Sequence, residues 1–288
     1  NERQFRNAKH RDQWRMTLTR YAAPLRPKTP DEIETVDVLA TLRPIWQVKP
    51  ETARRTQGRI ERILDAAKAA GLRTGDNPAR WRGHLDTLLA RRAKDSRGHH
   101  AALPYRDLPR FMAALRKVSG MGARALEFAI LTAARSGEVR GATWSEIDID
   151  SARWTVPATR MKAGNIHRVP LTKRGIEILK EAAEFQAESP LVFPGAGEGR
   201  PLSDMTLTAV IKRLHEADLK ADGPGFIDPA SGRIATAHGF RSSFRDWGED
   251  EARAPFGTIK AALAHTVGDK VDAAYRRGDA FEARRELM

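Results

Sequence analysis

A small set of basic and aromatic side chains in this chain could act together on a phosphodiester. Breaking that bond without a metal requires a nucleophile, positive groups that neutralise the phosphate oxygens, and an acid that protonates the leaving oxygen. Arginine suits the second task, because its planar guanidinium meets two phosphate oxygens and stays charged at any relevant pH. The candidates, in chain order, are Arg135, Lys162, His238, Arg241, His265 and Tyr275.

Three of these candidates lie in local settings that could support such chemistry. Arg135 lies in TAARSGEV, residues 132–139, after an apolar segment, and Glu138 could hold its guanidinium in place. His238 and Arg241 lie in HGFR, and helix positions i and i+3 share a face, so both side chains can point at one anion. Each pair alone is weak evidence, because an Arg-x-x-Glu pair is usually a surface ion pair that contributes little.

The remaining candidates lie in less distinctive settings. His265 ends the segment LAH, and Tyr275, one of three tyrosines, follows in the polar, basic segment DAAYRR. Taken singly, this tyrosine is more simply explained as a surface residue of an amphipathic helix. Lys162 lies at the turn of a predicted hairpin, and a lysine can act as an acid when its surroundings weaken its hold on the proton. Lys173 and Lys180 are the alternatives if the hairpin is misplaced, although both fit solvated helix positions better.

The charge of the chain favours a polyanionic partner. Its 288 residues contain 50 basic and 37 acidic side chains, a formal net charge of +13. Residues 1–100 hold 22 basic and 12 acidic side chains, and residues 101–288 hold 28 and 25, so most of the surplus lies in the first hundred residues. A solvated basic surface is the plainer explanation, but so uneven a surplus favours contact with nucleic acid.

The composition excludes several classes of protein. There is no cysteine, which excludes disulfides, thiolate nucleophiles and cysteine-ligated zinc. No apolar run reaches the roughly 18 residues that a membrane span needs. The polar, basic first twenty residues do not resemble a signal peptide. We therefore expect a cytoplasmic protein without membrane contact, and, because the first residue is Asn1, a piece of a longer protein.

The apolar pattern predicts two domains joined by a linker. Residues 1–95 are predicted to form a helical domain, with apolar residues at helical spacing over 31–43, 50–70 and 82–92. Residues 96–103 lack an apolar period and are interpreted as the linker. Its adjacent histidines, His99 and His100, are better explained as solvated residues than as metal ligands.

The second predicted domain, residues 104–288, has a mixed pattern. Two strands, near 154–156 and 167–171, bracket a turn at 163–165, as in a hairpin. The helices predicted around this hairpin cover 105–118, 123–134, 173–187, 205–218, 238–252, 258–265 and 268–276. The expected fold class is mainly α with a small antiparallel β-sheet.

Together, the six candidates occur in the order and local settings that define one family. The chain resembles the tyrosine recombinases, the phage integrase family, and is most similar to the integrases of prophages and genomic islands. The resemblance covers essentially the whole chain. It rests on TAARSGEV, HGFR and LAHTVGDKVDAAY, which are highly specific in combination, and NPARWRGHL, residues 77–85, is similar to the end of the family's core-binding region.

The resemblance implies the central catalytic roles. Tyr275 would attack the scissile phosphate, which leaves a 3′-phosphotyrosine and a free 5′-hydroxyl. Because the phosphotyrosine conserves the bond energy, rejoining would need no ATP. Arg135 and Arg241 would clamp the non-bridging oxygens and so replace a metal.

The same resemblance implies the supporting roles. Lys162 would be the general acid toward the 5′ oxygen. His238 would assist proton transfer near the tyrosine, and His265 would hydrogen-bond the phosphate. Glu138 would support Arg135 without taking part in the chemistry. No metal and no organic cofactor is expected.

The resemblance also implies the architecture and the partners. A helical core-type DNA-binding domain and an α+β catalytic domain would form a clamp around double-stranded DNA at core recombination sites. Four protomers would assemble on paired sites, with a monomer when DNA is absent, and DNA-bending accessory proteins could take part. Related integrases usually carry a further N-terminal arm-binding domain, and by this resemblance the given sequence would begin within or just before the core-binding region. Only 13 residues follow Tyr275, so the mode of assembly stays open.

Three other functions remain as alternatives. A type IB topoisomerase uses similar arginine, lysine, histidine and tyrosine chemistry but relaxes supercoils as a monomer. A catalytically silent DNA-binding regulator would share the basic charge without the reaction. A metal-dependent nuclease is the least favoured alternative, because no carboxylate cluster stands out in the sequence.

Overall fold

The computed structural model describes residues 8–90, 99–185, 189–197, 199–265 and 278–288. The chain divides into two compact units, Asn1–Ser96 (unit 1) and Arg97–Met288 (unit 2). The helix predicted over 268–276 lies outside the described residues, and so does Tyr275.

Unit 1 is helical in its described part. Its helices are α1 (Ala8–Arg20), α2 (Thr35–Trp46), α3 (Pro50–Ala69) and the single turn α4 (Asp86–Leu88). Pro50 begins α3, where its missing N–H leaves no hydrogen bond unmade. The core forms where Leu42 of α2 packs with Leu64 of α3 and with Leu85, all of which are fully buried.

Two features of unit 1 differ from the sequence prediction. Helix α1 was not predicted, because its sequence is strongly polar. It is tied to α3 by Arg59, a buried guanidinium that donates to the carbonyl of Gln13 and to the hydroxyl of Thr17. The helix predicted over 82–92 is reduced to one turn, because Gly83 takes a φ of +67° and interrupts the helical path.

Unit 2 combines helices with a small sheet. Its elements are α5 (Leu108–Leu115), α6 (Met121–Leu131), α7 (Ser136–Arg140), β1 (Ile147–Asp148), β2 (Arg153–Val156), β3 (His167–Pro170), α8 (Lys173–Phe185), α9 (Thr206–Lys220), α10 (Gly239–Asp250), α11 (Phe256–Ala262) and α12 (Phe281–Leu287). The predicted fold class, mainly α with a small antiparallel sheet, is confirmed. Helices α7 and α12 and strand β1 were not predicted, because each is too short for a clear periodic pattern.

The sheet has the order β1-β2-β3, with both neighbouring pairs antiparallel. The predicted hairpin is therefore confirmed, and its register pairs Trp154 with Val169 and Val156 with His167. Trp154 is fully buried and its ring lies 5.4 Å from that of Phe128 on α6. This contact fixes the sheet against the central helix of unit 2, so the hairpin loop and the end of α6 are held in one framework.

Two residues of the predicted linker are packed into the N-terminal end of unit 2. Ala101 and Leu103 are each 1% exposed and belong to the packed part of unit 2. Two apolar residues in so short a segment make no recognisable pattern, so the sequence did not indicate that these side chains are buried.

Across the described ranges, no helix combines the length and the apolar character that crossing a bilayer would require.

Candidate active site

Arg135 is positioned by a sharp turn at the end of α6. Thr132 closes the helix, with its N–H and its hydroxyl donating to the carbonyl of Phe128 at 3.0 and 2.6 Å. Ala133 then adopts a φ of +47°, in the left-handed region that residues other than glycine rarely occupy. The backbone becomes extended at Arg135, which is the N-cap residue of α7. The turn therefore directs this guanidinium away from the axis of α6.

A buried carboxylate and a main-chain carbonyl hold Arg135. Its Nη1 donates to Oε1 of Glu138 at 2.7 Å, and its backbone N–H donates to Oε2 of the same side chain at 2.9 Å. Its Nη2 donates to the carbonyl of Ala264 at 3.2 Å. Glu138 is 5% exposed, and its own carbonyl accepts a hydrogen bond from Arg160. The contact expected between Arg135 and Glu138 is thus present. The hydrogen bond from Arg160 further holds Glu138 in place, which the sequence did not indicate.

Arg241 lies in the first turn of α10 and is almost fully buried. Its Nη1 donates to the carbonyl of Ala133 and its Nη2 to the carbonyl of Leu263. These carbonyls lie just beyond the ends of α6 and α11, where the helix dipole favours positive charge. Its Nε is buried and has no hydrogen-bond partner among the described residues. The guanidinium is therefore held by the backbone of two helices.

The two predicted histidines lie next to this guanidinium. His265 directly follows the turn after α11, in which Ala264 has a φ of +46°, and its Nε2 lies 3.4 Å from Nη2 of Arg241. His238 immediately precedes α10, and Thr236 caps this helix by accepting a hydrogen bond from the N–H of Gly239 at 3.0 Å. The structure thus brings together five predicted residues, here called the arginine cluster: Arg135, Glu138, His238, Arg241 and His265.

Positive charge is concentrated in the arginine cluster. Burial, and after it the charges of His100, Arg241, Arg135 and His265, together lower the pKa of His238 to about 4. Burial also lowers the pKa of His265, with added contributions from Arg241 and Arg135. Burial and the neighbouring Arg135 lower the pKa of Arg241 to about 10, so it remains charged at neutral pH. Crowded cations with a single buried carboxylate among them favour an anionic ligand.

Lys162 lies on a different element from the residues of the arginine cluster. It is exposed at the β2–β3 turn, where Gly164 has a φ of +73° and its N–H donates to the carbonyl of Met161 at 3.1 Å. Within the described ranges, no hydrogen bond or ion pair joins Lys162 to the cluster. The structure confirms its place in a hairpin turn and does not bring its side chain to the other predicted residues.

Two histidines near the cluster were missed. His167, on β3, is half-buried, and its pKa is lowered to about 4 by burial and by Arg284, Arg241 and Arg135, against the opposing charge of Glu138. Strand alternation could have indicated it, because His167 shares a face with the buried Val169. His100 was interpreted as solvated, but its ring centroid lies 4.4 Å from that of His238. No local sequence signal indicates this second contact.

Over the part of the chain that the structure describes, no three histidine or carboxylate side chains lie together in a group that could hold a metal ion.

Comparison with known proteins supplies a family for both units. Residues 1–84 match the phage integrase central domain, and residues 102–280 match the phage integrase family. The prophage integrase IntZ of Escherichia coli K12 is 32% identical over 258 residues, which cover 89% of this chain and 58% of that protein. The integrase of Enterobacteria phage P4 is 26% identical over 274 residues, which cover 89% of this chain and 58% of that protein. The chain therefore spans little more than half the length of these relatives.

Solved structures show the same fold. A lambda integrase (75–356) dimer bound to a COC′ core site has a TM-score of 0.63 at 18% identity, over 92% of each chain. A lambda integrase tetramer bound to a Holliday junction has a TM-score of 0.64 at 18% identity, over 95% of this chain and 73% of that one.

Proposed function

Because the chain belongs to the phage integrase family of tyrosine recombinases, we propose that it cleaves and rejoins duplex DNA at specific sites through a 3′-phosphotyrosine intermediate. The reaction would integrate or excise a mobile element such as a prophage. Its substrate would be double-stranded DNA, which implies a cytoplasmic location.

The convergence of Arg135 and Arg241 carries this proposal. Their guanidinium groups come from turns more than a hundred residues apart in sequence and are both held by main-chain carbonyls. Arg135 is 23% exposed, so part of its guanidinium remains accessible to a ligand. Fixed donors that need no rearrangement are the most effective way to stabilise charge that develops on phosphate oxygens.

The proposed reaction proceeds by two balanced transfers. The phenol oxygen of Tyr275 attacks phosphorus and loses its proton as the bond from phosphorus to the 5′ oxygen breaks. Arg135 and Arg241 stabilise the negative charge on the non-bridging oxygens. Rejoining reverses these steps, with a 5′-hydroxyl attacking phosphorus and the tyrosine leaving. Tyr275 lies outside the described residues, so its role depends on its sequence motif.

The histidines and Lys162 would handle protons and position the phosphate. His238 is neutral at pH 7, with its pKa lowered to about 4, so its free ring nitrogen would accept a hydrogen bond from the tyrosine hydroxyl and help to pass that proton on to solvent. His265, 3.4 Å from Arg241, would donate a hydrogen bond to the phosphate. Lys162 would protonate the 5′ oxygen, which requires the hairpin turn to approach the bound DNA.

We expect the assembly to depend on DNA. Lambda integrase forms a dimer on a core site and a tetramer on a Holliday junction. By analogy, four protomers of this protein would act on paired sites, with a monomer when DNA is absent. DNA-bending accessory proteins are further expected partners. The two units would close around the duplex as a clamp.

A nicked suicide duplex tests the nucleophile. It would carry a core site from the element's own junction, and the native chain would be compared with Tyr275→Phe and with Tyr105→Phe as the matched control. We expect a covalent protein–DNA band on a denaturing gel for the native chain and the control, and none for Tyr275→Phe. DNA binding without a band from the native chain or the full-length protein would favour a silent DNA-binding regulator.

Strand exchange separates this function from that of a type IB topoisomerase. A recombinase joins strands between two duplexes that both carry the site, whereas a topoisomerase only relaxes supercoils. Recombinant products from two labelled duplexes are therefore expected. Relaxation without any recombinant product would contradict the proposal.

The concentration of basic residues in unit 1 predicts a marked salt dependence of DNA binding. Contacts directed mainly to phosphates release bound counterions, so the association constant falls steeply as salt increases. Binding isotherms between low and moderate salt would measure the slope. A flat dependence would count against unit 1 as a phosphate-directed part of the clamp.

A further inference from the structure

Near its start, unit 2 contains a short segment, residues 99–103, that is bonded to α10 and to the residues just before this helix. The carbonyl of Ala101 accepts hydrogen bonds from the N–H and the hydroxyl of Thr236 at 3.0 and 3.2 Å. The carbonyl of Leu103 accepts one from the hydroxyl of Ser243. At the outer end, Arg233 donates to the carbonyl of His99 at 2.7 Å. This segment, here called the entry segment, is thus fixed to the helix that carries Arg241.

A close backbone approach strengthens this attachment. A Cβ placed on Gly239 would lie 1.9 Å from the carbonyl oxygen of Ala101, which no side chain can accommodate. Gly239 is the first residue of α10 and directly follows His238. The absence of a side chain at this position allows the entry segment to lie directly against the helix start.

The entry segment brings the imidazole of His100 against that of His238. The rings of His100 and His238 have centroids 4.4 Å apart and planes at 55°. His100 and His238 are both exposed, so core packing does not require the contact. The hydrogen bonds of Ala101 and the approach of Gly239 hold the two backbones, and hence the two rings, at this separation.

We propose that His100 is a positioning residue for His238. Its ring limits the orientations of the His238 imidazole and keeps it facing the two arginines. The inference rests on the proposed recombinase function, in which His238 assists proton transfer near the tyrosine. His100 itself touches neither the phosphate nor the nucleophile in this scheme.

His100 also contributes to the electrostatics of His238. The ionisable groups that act on His238 are His100, Arg241, Arg135 and His265, and each opposes its protonation. Replacing His100 by phenylalanine keeps an aromatic ring against His238 and removes one of these charges. Replacing it by alanine removes both the ring and the charge. The two variants therefore separate orientation from electrostatics.

The test compares His100→Ala and His100→Phe with the native chain and with His99→Ala. His99 is a matched control, because the hydrogen bond described for it runs from Arg233 to its backbone carbonyl, which alanine keeps. Single-turnover formation of the covalent complex on the suicide duplex would be measured from pH 4 to 9, together with DNA affinity and melting temperature. We expect His100→Ala to be slower by about tenfold to a hundredfold. His100→Phe should recover most of this rate, and His99→Ala should match the native chain.

A second readout does not depend on activity. Titration of the His238 imidazole by nuclear magnetic resonance in the DNA-free chain should give a higher pKa in both His100 variants, because a repelling charge is removed. The low-pH limb of the cleavage profile should move upward with it. A purely structural role for His100 would change the melting temperature and leave this titration unchanged.

The outcomes separate the two proposals. If neither the native chain nor His99→Ala forms a covalent complex, the proposed function fails, while the His238 titration still tests the contact. If the native chain cleaves DNA and His100→Ala cleaves it equally fast, the positioning role is wrong. An unchanged His238 titration in both His100 variants would also overturn it.

Discussion

Arg241 and Lys162 are proposed to act on the same phosphate, yet the chain holds them in opposite ways. Arg241 is 5% exposed and its guanidinium donates to the carbonyls of Ala133 and Leu263. Lys162 is exposed on a glycine-containing turn and, among the described residues, makes no hydrogen bond or ion pair with the arginine cluster.

This difference follows from what each group must do. Donors that stabilise a developing charge work best when they are already in place, because no energy is then spent on reorientation. A general acid must instead carry a proton until it is needed. Burial and, after it, the neighbouring cations lower the pKa of His238, His265 and Arg241, so a lysine held among them without DNA would tend to lose its proton. Keeping the acid on an exposed turn avoids that loss.

The largest effect is expected from Arg241→Ala. The change removes one arm of the phosphate clamp and leaves the carbonyls of Ala133 and Leu263 without their donor. Cleavage should fall by about 10³-fold to 10⁵-fold, as when a transition-state arginine is removed from a phosphoryl-transfer site. The melting temperature should fall as well, whereas Arg245→Ala, which removes an exposed ion pair from the same helix, should leave it unchanged. Cleavage within tenfold of native would contradict the clamp.

Lys162→Ala should separate chemistry from stability. We expect cleavage to fall by about 10²-fold to 10⁴-fold, the usual contribution of a positioned acid, with no change in melting temperature. A substrate with sulfur in place of the bridging 5′ oxygen sharpens the test, because a thiolate leaves without being protonated. This substrate should restore the rate of Lys162→Ala and not that of Arg241→Ala.

The alternatives Lys173 and Lys180 serve as controls for that experiment. Alanine at either position should leave cleavage of both substrates unchanged, since both lysines are exposed on α8. Rescue by the sulfur substrate in one of these variants, and not in Lys162→Ala, would move the acid to that residue.

A smaller effect on both rate and stability is expected from Glu138→Gln. The amide keeps the shape of the side chain but loses the ion pair with Arg135, whose 2.7 Å contact is largely buried. Cleavage should slow by about tenfold to a hundredfold, because the guanidinium is less firmly oriented. The free energy of unfolding, measured with urea, should fall by about 1 to 3 kcal/mol. An unchanged unfolding curve would mean that main-chain bonds alone hold Arg135.

The smallest expected effect is a dependence of folding stability on pH. It arises from histidines in and next to the arginine cluster and does not involve Lys162. The pKa values of His167 and His238 are lowered from 6.5 to about 4 in the folded chain. As pH falls below 6.5, the unfolded chain binds protons first, so folded stability declines down to about pH 4 and is unaffected above 7. Melting temperatures from pH 8 to 4.5 should show this decline, and His167→Gln should reduce it. An equal decline in that variant would assign the effect to other groups.

Some elements were predictable because their signals are local. The hairpin of β2 and β3 was predicted from two β-rich segments around a glycine turn. The helix that begins within HGFR was predicted from the helical spacing of its residues. Helix α1 was missed because its polar sequence has no clear apolar stripe. The hydrogen bond from Arg59 to the carbonyl of Gln13, which holds this helix, joins residues that are 46 positions apart. His167 could have been found by strand alternation, whereas the contact of His100 with His238 joins positions that no local pattern relates.

The sequence by itself determined the family, the order of the candidate residues and the short-range geometry of each motif, because these depend on residue type and backbone periodicity alone. The tertiary structure decided which groups meet. The carbonyl of Ala133 reaches Arg241 across 108 positions, and that of Ala264 reaches Arg135 across 129. Such contacts depend on how helix ends and turns pack together, since a main-chain carbonyl is chemically the same at every residue and only folding selects the one that faces a guanidinium.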